Sequence, residues 1–258
     1  MGTRSPSVSG VRPAAAGDPG RPVESADLRA GELAREYARR FGAHAGYRRR
    51  VWAMLVRDVF QRYVPEDGAA LELGCGWGEF INHVRARTRL GMDLNPESAG
   101  RLDPDVRFLE QDCSAPWPLA ANALDVIFTS NFFEHLPDKA TLSRTLAESL
   151  RCLRPGGRLV CLGPNIRYLP GAYWDFWDHY LPLTDRSLVE GLELTGFHVE
   201  RSWARFLPYT MSGTWQPPLW MLWLYLRLPF AWRLFGKQFL IVASRPLAEE
   251  GRGAAPAQ

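Results

Sequence analysis

The chain has 258 residues, of which 46% are hydrophobic and 12% aromatic, so its composition excludes a wholly disordered protein. Its formal net charge of +3 is too small to indicate a nucleic-acid partner by itself. The four cysteines are scattered and form no C-x-x-C pair, which favours reduced thiols over a disulfide framework. We therefore expect a globular protein in the cytoplasm.

The composition changes along the chain and predicts four regions. Residues 1–26 are rich in Pro, Gly, Ser and Ala and lack the apolar run of a signal peptide, so they are predicted to be disordered, as is the tail 247–258. Residues 27–64 predict helices that cap the functional site. Residues 65–246 predict one α/β domain, with an aromatic insert at 207–236.

The N-terminal region predicts two helices, over 27–42 and 47–63. In the second helix apolar residues recur at helical spacing, with arginines on the opposite side. These apolar residues are Val51, Trp52, Leu55, Val56, Val59 and Phe60.

From residue 69 onward, short apolar segments alternate with helical patterns. Strands are predicted over 70–73, 89–92, 106–110, 124–129, 158–162, 198–204 and 238–243. Helices are predicted over 139–153 and 184–194, and a further helix can begin at Glu79. This alternation predicts a seven-stranded, mostly parallel sheet with helices on both faces.

The stretch "LELGCGWGEF" places three glycines directly after the first predicted strand. Gly74, Gly76 and Gly78 would let the chain turn tightly and let a ligand lie against bare backbone. Asp93 follows at the end of the second strand, 19 residues after Gly74. A carboxylate in that position can accept both hydroxyl groups of a ribose, so the pair predicts a nucleoside site.

The spacing of the glycines indicates which nucleoside derivative would bind. A dinucleotide site has the pattern G-x-G-x-x-G and holds a pyrophosphate at a helix N-terminus. This chain has G-x-G-x-G, with Glu79 where a pyrophosphate would be repelled, and no "GK[ST]" follows. The pattern favours a nucleoside that carries a positive charge and no phosphate.

Five motifs in order resemble those of class I S-adenosylmethionine-dependent methyltransferases, in particular the small-molecule group with an "EH" pair after the fourth strand. They read "LELGCGWGEF", "GMDLNPE", "FLEQDCS", "LDVIFTSNFFEHL" and "LRPGGRLVCLGPN". The resemblance covers roughly residues 50–245. It implies a Rossmann-like fold, S-adenosylmethionine as the cofactor and methyl transfer as the activity.

The resemblance implies cofactor contacts at the ends of the first four strands. These residues are Glu72, Gly74, Cys75, Gly76, Asp93, Leu94, Asp112, Cys113, Ser130 and Asn131. Those of the first turn would line the amino-acid end of the cofactor, with Glu72 oriented toward it directly or through water. Asp93 would bind the ribose, although such an aspartate can also serve only as a helix N-cap or turn.

The remaining cofactor residues would surround the adenine and the methyl group. Leu94 or Met92 would flank the adenine, Asp112 would accept a hydrogen bond from its amino group, and the backbone amide of Cys113 would reach a ring nitrogen. The two residues after the fourth strand would face the methionine portion. We expect Cys75 and Cys113 to fill space in the core and not to act as nucleophiles.

Two histidines are candidate general bases, because imidazole titrates near neutral pH. His135 follows the fourth strand, and His179 follows the fifth strand on the same edge of the sheet. The alternatives are that His135 only fixes its loop by hydrogen bonds and that His179 forms a surface pair with Asp178. If the two loops meet, Glu134, His135, Asp175, Asp178 and His179 could ligate a metal. We expect no metal, because Asn131 stands where metal-dependent relatives have an acid.

Two aromatic segments remain. The first, "YWDFWDHY" at 173–180, can stack on a sugar or an aromatic acceptor, or simply pack on the sheet as a lid. The second, at 215–236, combines tryptophans with basic residues, and its uncharged run, 217–226, is too short for the ~20 apolar residues of a membrane-spanning helix. Its tryptophans and basic residues are Trp215, Trp220, Trp223, Trp232, Arg227 and Arg233, and Lys237 follows it directly. Peripheral contact with the inner face of the membrane, a pocket lid and a homodimer contact all remain open for this segment.

Three functions compete on these patterns. We expect a small-molecule methyltransferase that acts on a hydroxyl or amine of a lipid-linked, saccharide or secondary-metabolite acceptor. A nucleic-acid methyltransferase is disfavoured, because the loop after the fourth strand reads "SNFFEH" and no basic stripe is present. A non-catalytic module that binds S-adenosylmethionine is the third possibility.

Overall fold

A computed structural model of the chain describes residues 45–209 and 216–247. Its seven strands are β1 (Ala69–Leu73), β2 (Thr88–Asp93), β3 (Val106–Glu110), β4 (Leu124–Ser130), β5 (Leu153–Pro164), β6 (His198–Trp203) and β7 (Gln238–Ser244). Its α-helices are α1 (Ala45–Leu55), α2 (Lys139–Cys152), α3 (Asp185–Thr195), α4 (Leu219–Arg227) and α5 (Pro229–Phe235).

All seven strands belong to one sheet, in the order β3-β2-β1-β4-β5-β7-β6. The first five strands are parallel, whereas β7 runs antiparallel to both β5 and β6. The winding reverses between β1 and β4, and this reversal opens a crevice at the carboxyl ends of the strands. The predicted seven-stranded, mostly parallel, Rossmann-like sheet is confirmed.

Two apolar layers cover the sheet, because successive side chains of a strand point to opposite faces. Leu71 and Leu73 of β1 pack with residues of α2 and α3 on one face. Ala70 packs with residues of α1 and α4 on the other face. The helices therefore lie on both faces, as predicted, and the carboxyl edge is left for the site.

The predicted N-terminal helix at 47–63 forms, beginning at Ala45 as α1. It continues as a π-helical turn, Val56–Phe60, and a 3₁₀ turn, Gln61–Tyr63. The predicted helix at 27–42, Trp215 and the two chain ends predicted to be disordered fall outside the described residues, apart from Leu247.

The helix predicted to begin at Glu79 is wrong. Residues 76–83 form consecutive hydrogen-bonded turns. The Glu72 carboxylate accepts the backbone N–H groups of Phe80 and Ile81, at 3.3 and 2.9 Å, and so replaces the carbonyls that a regular helix would use. Glu79 turns outward and forms an ion pair with Arg48 of α1 at 2.6 Å.

The contact between α1 and the sheet generates a stability prediction. Trp52 is buried, and its ring lies 6.1 Å from that of Phe128 on β4. Replacing Trp52 with Ala should lower the free energy of unfolding by about 3 kcal/mol or more, because a large buried ring is lost and a cavity remains. Urea titration measures the loss. Arg50→Ala, at an exposed position of the same helix, is the control, and an equally small loss in both variants would contradict this packing.

Candidate functional site

A cavity of about 630 Å³ opens at the carboxyl edge, where the winding of the sheet reverses. Its wall includes residues that follow β1, β2, β3 and β4. Of the predicted cofactor residues, those in the wall are Gly74, Gly76, Asp93, Leu94, Asp112, Cys113 and Asn131. Met92 and His135 also line it. Most of the cofactor residues that were predicted from four separate segments therefore line one cavity.

The turn after β1 is hydrogen-bonded to the end of β2. The N–H groups of Gly74 and Cys75 both donate to the carbonyl of Met92, at 2.9 and 3.0 Å. Gly74 has a φ of +67°, and a Cβ built there would lie 2.3 Å from the ring of Phe132. Any other residue at this position would be strained and would clash, so the glycine is required by the turn itself.

Asp93 fixes the same turn from the other side. Its carboxylate accepts the N–H of Gly76 at 2.8 Å and the N–H of Asn95 at 2.9 Å. The alternative role as a helix N-cap is wrong, because Asn95 caps the 3₁₀ helix Pro96–Arg101. A carboxylate has about four acceptor positions, so Asp93 keeps the capacity to accept further hydrogen bonds from a ligand in the cavity. Burial raises the pKa of Asp93, although the hydrogen bonds from the N–H groups of Asn95 and Gly76 oppose the rise.

Three predicted cofactor residues lie outside the cavity wall: Glu72, Cys75 and Ser130. Glu72 is buried, and its carboxylate serves the turns at 80–81 instead of facing the cavity. Burial, followed by the nearby charge of Glu79, raises its pKa well above the ordinary value. The thiol of Cys75 is buried and packs near Gly91, which fits the predicted space-filling role. Glu72 therefore holds the turns at residues 80–81 and does not line the cavity.

The segment after β3 forms a turn that presents Asp112 to the cavity. One oxygen of Asp112 accepts the N–H and the hydroxyl of Ser114, at 2.8 and 2.9 Å. Neighbouring Cys113 accepts a bond from the indole of Trp117 through its carbonyl, at 2.9 Å. The turn that the sequence predicted as the alternative role of this aspartate is therefore present. Asp112 also lines the cavity.

The loops after β4 and β5 meet beside this cavity. The carbonyl of Glu134 accepts the N–H groups of Tyr180 and Leu181, at 2.8 and 3.0 Å. Nδ1 of His135 lies 2.9 Å from the carbonyl oxygen of Asp178 and 3.1 Å from its carboxylate. The convergence that the sequence could only suggest is therefore real, and it places His135 in the cavity wall.

His179 lies behind His135 and is buried, so the predicted alternative of a surface pair with Asp178 is wrong. The two imidazole rings are 5.1 Å apart. The rings of Tyr173 and Phe176 pack on His179 at 4.7 and 4.9 Å. The structure thus brings both predicted histidines together, one in the wall and one supporting it.

The cluster carries strongly shifted protonation equilibria. Burial raises the pKa of Glu134 to about 7, although the charge of His135 opposes the rise. Burial lowers the pKa of His135, but the hydrogen bond to Asp178 and the charges of Glu134 and Asp178 outweigh it, so the net pKa is raised. One ligand atom from each of Glu134, His135 and His179 lies within 4.8 Å of the others. Such a group can exchange a proton with an acceptor or hold a divalent cation.

Sequence reasoning missed several polar residues of the wall, among them Arg101, Thr141 and Arg144. Arg101 follows Asp93 by one short helix, and its guanidinium lies 4.8 Å from the ring centroid of Trp77, which also lines the cavity. Thr141 and Arg144 reach the cavity from the first turns of α2. For Thr141 and Arg144, the one available signal was their position just after the predicted "EH" loop, which brings the start of α2 to the same edge.

The wall fits an adenosine that carries a sulfonium group and no phosphate. Bare backbone at Gly74 and Gly76 leaves room beside β1, the carboxylate of Asp93 offers acceptor positions for a ribose, and Met92 and Leu94 offer apolar surface for a base. The cavity volume lies within the range of ordinary cofactor sites. In the described residues 76–83 the turns provide no helix N-terminus for a pyrophosphate, which is the feature that dinucleotide sites use.

Removing the Asp93 side chain tests the site. Asp93→Ala should weaken S-adenosylmethionine binding by about tenfold or more, because the ribose acceptor is lost and the turn at Gly76 loses its anchor. Isothermal titration calorimetry measures the affinity. Asp105→Ala, which removes an exposed carboxylate paired with Arg89 at the other end of the sheet, should bind normally. Equal affinities in wild type and Asp93→Ala would reject this role.

Comparison with known proteins agrees with this geometry. A family model described as a methyltransferase domain matches residues 71–161. Demethylmenaquinone methyltransferase of Symbiobacterium thermophilum is 35% identical over 151 residues, which cover 51% of this chain and 58% of that protein. Trans-aconitate 2-methyltransferase of Azoarcus sp. is 38% identical over 118 residues, which cover 42% of this chain and 44% of that protein. The chain thus spans about half the length of these relatives.

Solved structures share the fold. A SAM-dependent methyltransferase from Archaeoglobus fulgidus superposes with a TM-score of 0.57 at 21% identity and covers 76% of this chain and 94% of its own. A SAM-dependent methyltransferase from Thermotoga maritima gives 0.59 at 16% identity, with 83% and 96% covered. Taken with the glycine turn, the acid at the end of β2 and the strand order, these matches identify a methyltransferase domain at residues 71–161 that shares the fold of S-adenosylmethionine-dependent methyltransferases.

Proposed function

We propose that the chain transfers a methyl group from S-adenosylmethionine to a hydroxyl or amine of a small-molecule acceptor. The observation that carries this proposal is the position of His135 in the wall of the cavity, held by Asp178. When bound, the cofactor supplies an already electrophilic methyl group. The residues of this chain then need to position the acceptor, exclude water and take up its proton.

His135 is oriented for proton uptake. A backbone carbonyl can only accept a hydrogen bond, so Nδ1 of His135 donates its proton to Asp178. Nε2 is then the nitrogen that can receive a proton from the acceptor. The Asp178 carboxylate stabilises the imidazolium that forms, and His179 holds the ring from behind. In this proposal His135 is the catalytic base and His179 is a positioning residue.

The mouth of the cavity supports a ring-containing or lipid-linked acceptor. Trp177 and Tyr180 line the cavity, and Trp177 is 88% exposed. Exposed aromatic rings at a mouth can stack on a sugar, a quinone-like ring or another apolar group. The two curated relatives are named for demethylmenaquinone and trans-aconitate, which supports a small-molecule acceptor. We keep saccharides, secondary metabolites and lipid-linked molecules as the acceptor classes to assay.

The assay separates an enzyme from a binding module. The full chain is incubated with S-adenosylmethionine and acceptors of each class, and S-adenosylhomocysteine and methylated product are measured by mass spectrometry. We expect turnover with at least one hydroxyl or amine acceptor. A chain that binds the cofactor in calorimetry and forms no methylated product across the panel, nucleic acids included, would support the non-catalytic alternative.

Removing either histidine should slow turnover without loss of the cofactor. We expect His135→Ala to lower kcat by about 100-fold, the ordinary contribution of a general base, and His179→Ala to lower it less. S-adenosylmethionine affinity should stay within about twofold of wild type, since calorimetry reports binding and not proton transfer. His198→Ala, at an exposed site on β6, is the matched control. Normal turnover in both variants would show that neither histidine acts in proton transfer.

Removal of metal ions from the wild-type chain distinguishes a base from a metal site. If the histidines handle a proton, prolonged treatment of the wild-type chain with EDTA should leave turnover unchanged. A loss that added Mg²⁺ or Mn²⁺ restores would instead assign Glu134, His135 and His179 to a cation.

The pH dependence gives an independent measurement of the base. An imidazole works as a base only when it is deprotonated, so kcat should rise as the pH rises through the raised pKa of His135. Asp178→Asn removes the carboxylate that raises this pKa and should move the rising limb to lower pH. An unmoved limb in the kcat profile would show that another group titrates.

A further inference from the structure

The insert between β6 and β7 is firmly attached to the body of the protein. Leu226 of α4 and Ala231 of α5 are buried in the apolar layer that also contains α1. The hydroxyl of Tyr225 donates to the carbonyl of Phe206 at 2.5 Å, and the guanidinium of Arg205 binds the carbonyls at the end of α5, at 2.6 and 2.7 Å. These contacts and hydrogen bonds on the inner side therefore fix the orientation of the helix pair against the rest of the protein.

The outer side of the same pair is apolar and exposed. Residues three and four apart on a helix share a face, and exposed apolar residues recur at that spacing in both helices, as Trp220 and Leu224 do in α4 and Phe230 and Leu234 do in α5. They are between 37% and 64% exposed: Trp220, Met221, Trp223, Leu224, Phe230, Leu234 and Phe235. Contiguous large apolar residues of this kind on a protein surface mark a contact with another molecule or a membrane.

The charges of the insert favour an anionic partner. Residues 216–237 contain two arginines, one lysine and no acidic residue. The guanidinium of Arg227 lies 3.9 Å from the ring centroid of Trp223 and 4.0 Å from the carboxylate of Asp58 in the helical region after α1. Arg233 and Lys237 are exposed beside the apolar side chains. Tryptophan together with arginine and lysine is the composition of segments that lie at the boundary between lipid headgroups and acyl chains.

A second copy of the chain fits this surface poorly. In a two-fold dimer the same patch meets itself, so the cations of one copy would face the cations of the other with no acidic residue of the insert between them. Like charges placed across an interface weaken it. A bilayer with anionic lipids supplies the opposite charge and an apolar layer at once.

The dimensions indicate a surface contact. The helices α4 and α5 have nine and seven residues, and α4 is therefore about 14 Å long. Across the part of the chain that the structure describes, no helix is both long enough and apolar enough to pass through a bilayer.

The insert lies on the same edge of the sheet as the cavity. Its chain leaves the end of β6 and returns at Gln238, which pairs with Pro164 at the carboxyl end of β5. Tyr209, at the start of this connection, packs on Phe176 of the aromatic loop at 5.9 Å. That loop also supplies Trp177 to the cavity wall. A surface that bound the insert would therefore lie near the entrance of the cavity.

We propose that the outer face of α4 and α5 docks the protein on an anionic lipid surface, so that a membrane-held acceptor reaches the cavity from the bilayer interface. This rests on the proposed function for the choice of acceptor, but the docking itself does not. It selects the lipid-linked class among the acceptors considered above.

Vesicle sedimentation with the full chain tests the docking. We expect the protein to sediment with vesicles of phosphatidylcholine and phosphatidylglycerol, and to be released by high salt. The double variant Trp220→Ser and Phe230→Ser should lower the partition coefficient by about tenfold or more, since two exposed apolar side chains no longer enter the interface. Leu194→Ser removes an even more exposed apolar side chain from α3 and should leave partitioning unchanged.

Two results would overturn the proposal. The first is a wild-type chain that stays in the supernatant with these vesicles, or a double variant that partitions like wild type. The second is a stable dimer in analytical ultracentrifugation that the double variant converts to a monomer, because the occupant would then be a second copy. Calorimetry with S-adenosylmethionine on the same samples keeps the questions separate: normal cofactor binding without sedimentation rejects docking alone, whereas lost cofactor binding in the wild type rejects the proposed function.

Discussion

The site depends on one hydrogen-bonded junction between the turn after β1 and the end of β2. The carbonyl of Met92 accepts two consecutive N–H groups, from Gly74 and Cys75, and the carboxylate of Asp93 accepts a third, from Gly76. This pattern requires the positive φ of Gly74 and the close approach of Phe132, which leaves no room for a side chain. The same junction places Asp93 in the cavity wall, so the geometry of the turn and the position of the Asp93 carboxylate are set together.

A second constraint joins the chemistry to the loops after β4 and β5. Asp178 and Glu134 are buried carboxylates, and burying charge costs stability unless it is paired or hydrogen-bonded. Here the contact between the Asp178 carboxylate and His135 offsets part of that cost, and the backbone bonds from Tyr180 and Leu181 to the carbonyl of Glu134 hold the two loops against each other. A cluster of titratable groups therefore lies at the cavity wall and is largely withdrawn from solvent, which is the arrangement that shifts pKa values at functional sites.

The strands and their order of appearance were predictable because short apolar runs between helical patterns are local signals, and all seven predicted strands are present. The glycine turn and Asp93 were predictable from spacing. The partner of Glu72, the ion pair of Glu79 with Arg48 and the burial of His179 were not, because each depends on a residue that is distant in sequence or on a packed loop. The aromatic pattern of the insert identified a special segment, but only the structure separates its packed residues from its exposed ones.

The most direct measurement is a calorimetric titration of the wild-type chain with S-adenosylmethionine and, separately, with NAD⁺. Both ligands carry an adenosine, but only NAD⁺ carries a pyrophosphate, which normally binds a helix N-terminus that the turns at 76–83 do not provide. The account predicts saturable heat with one equivalent of S-adenosylmethionine and none with NAD⁺. Heat from NAD⁺ alone, or from neither ligand, would contradict it.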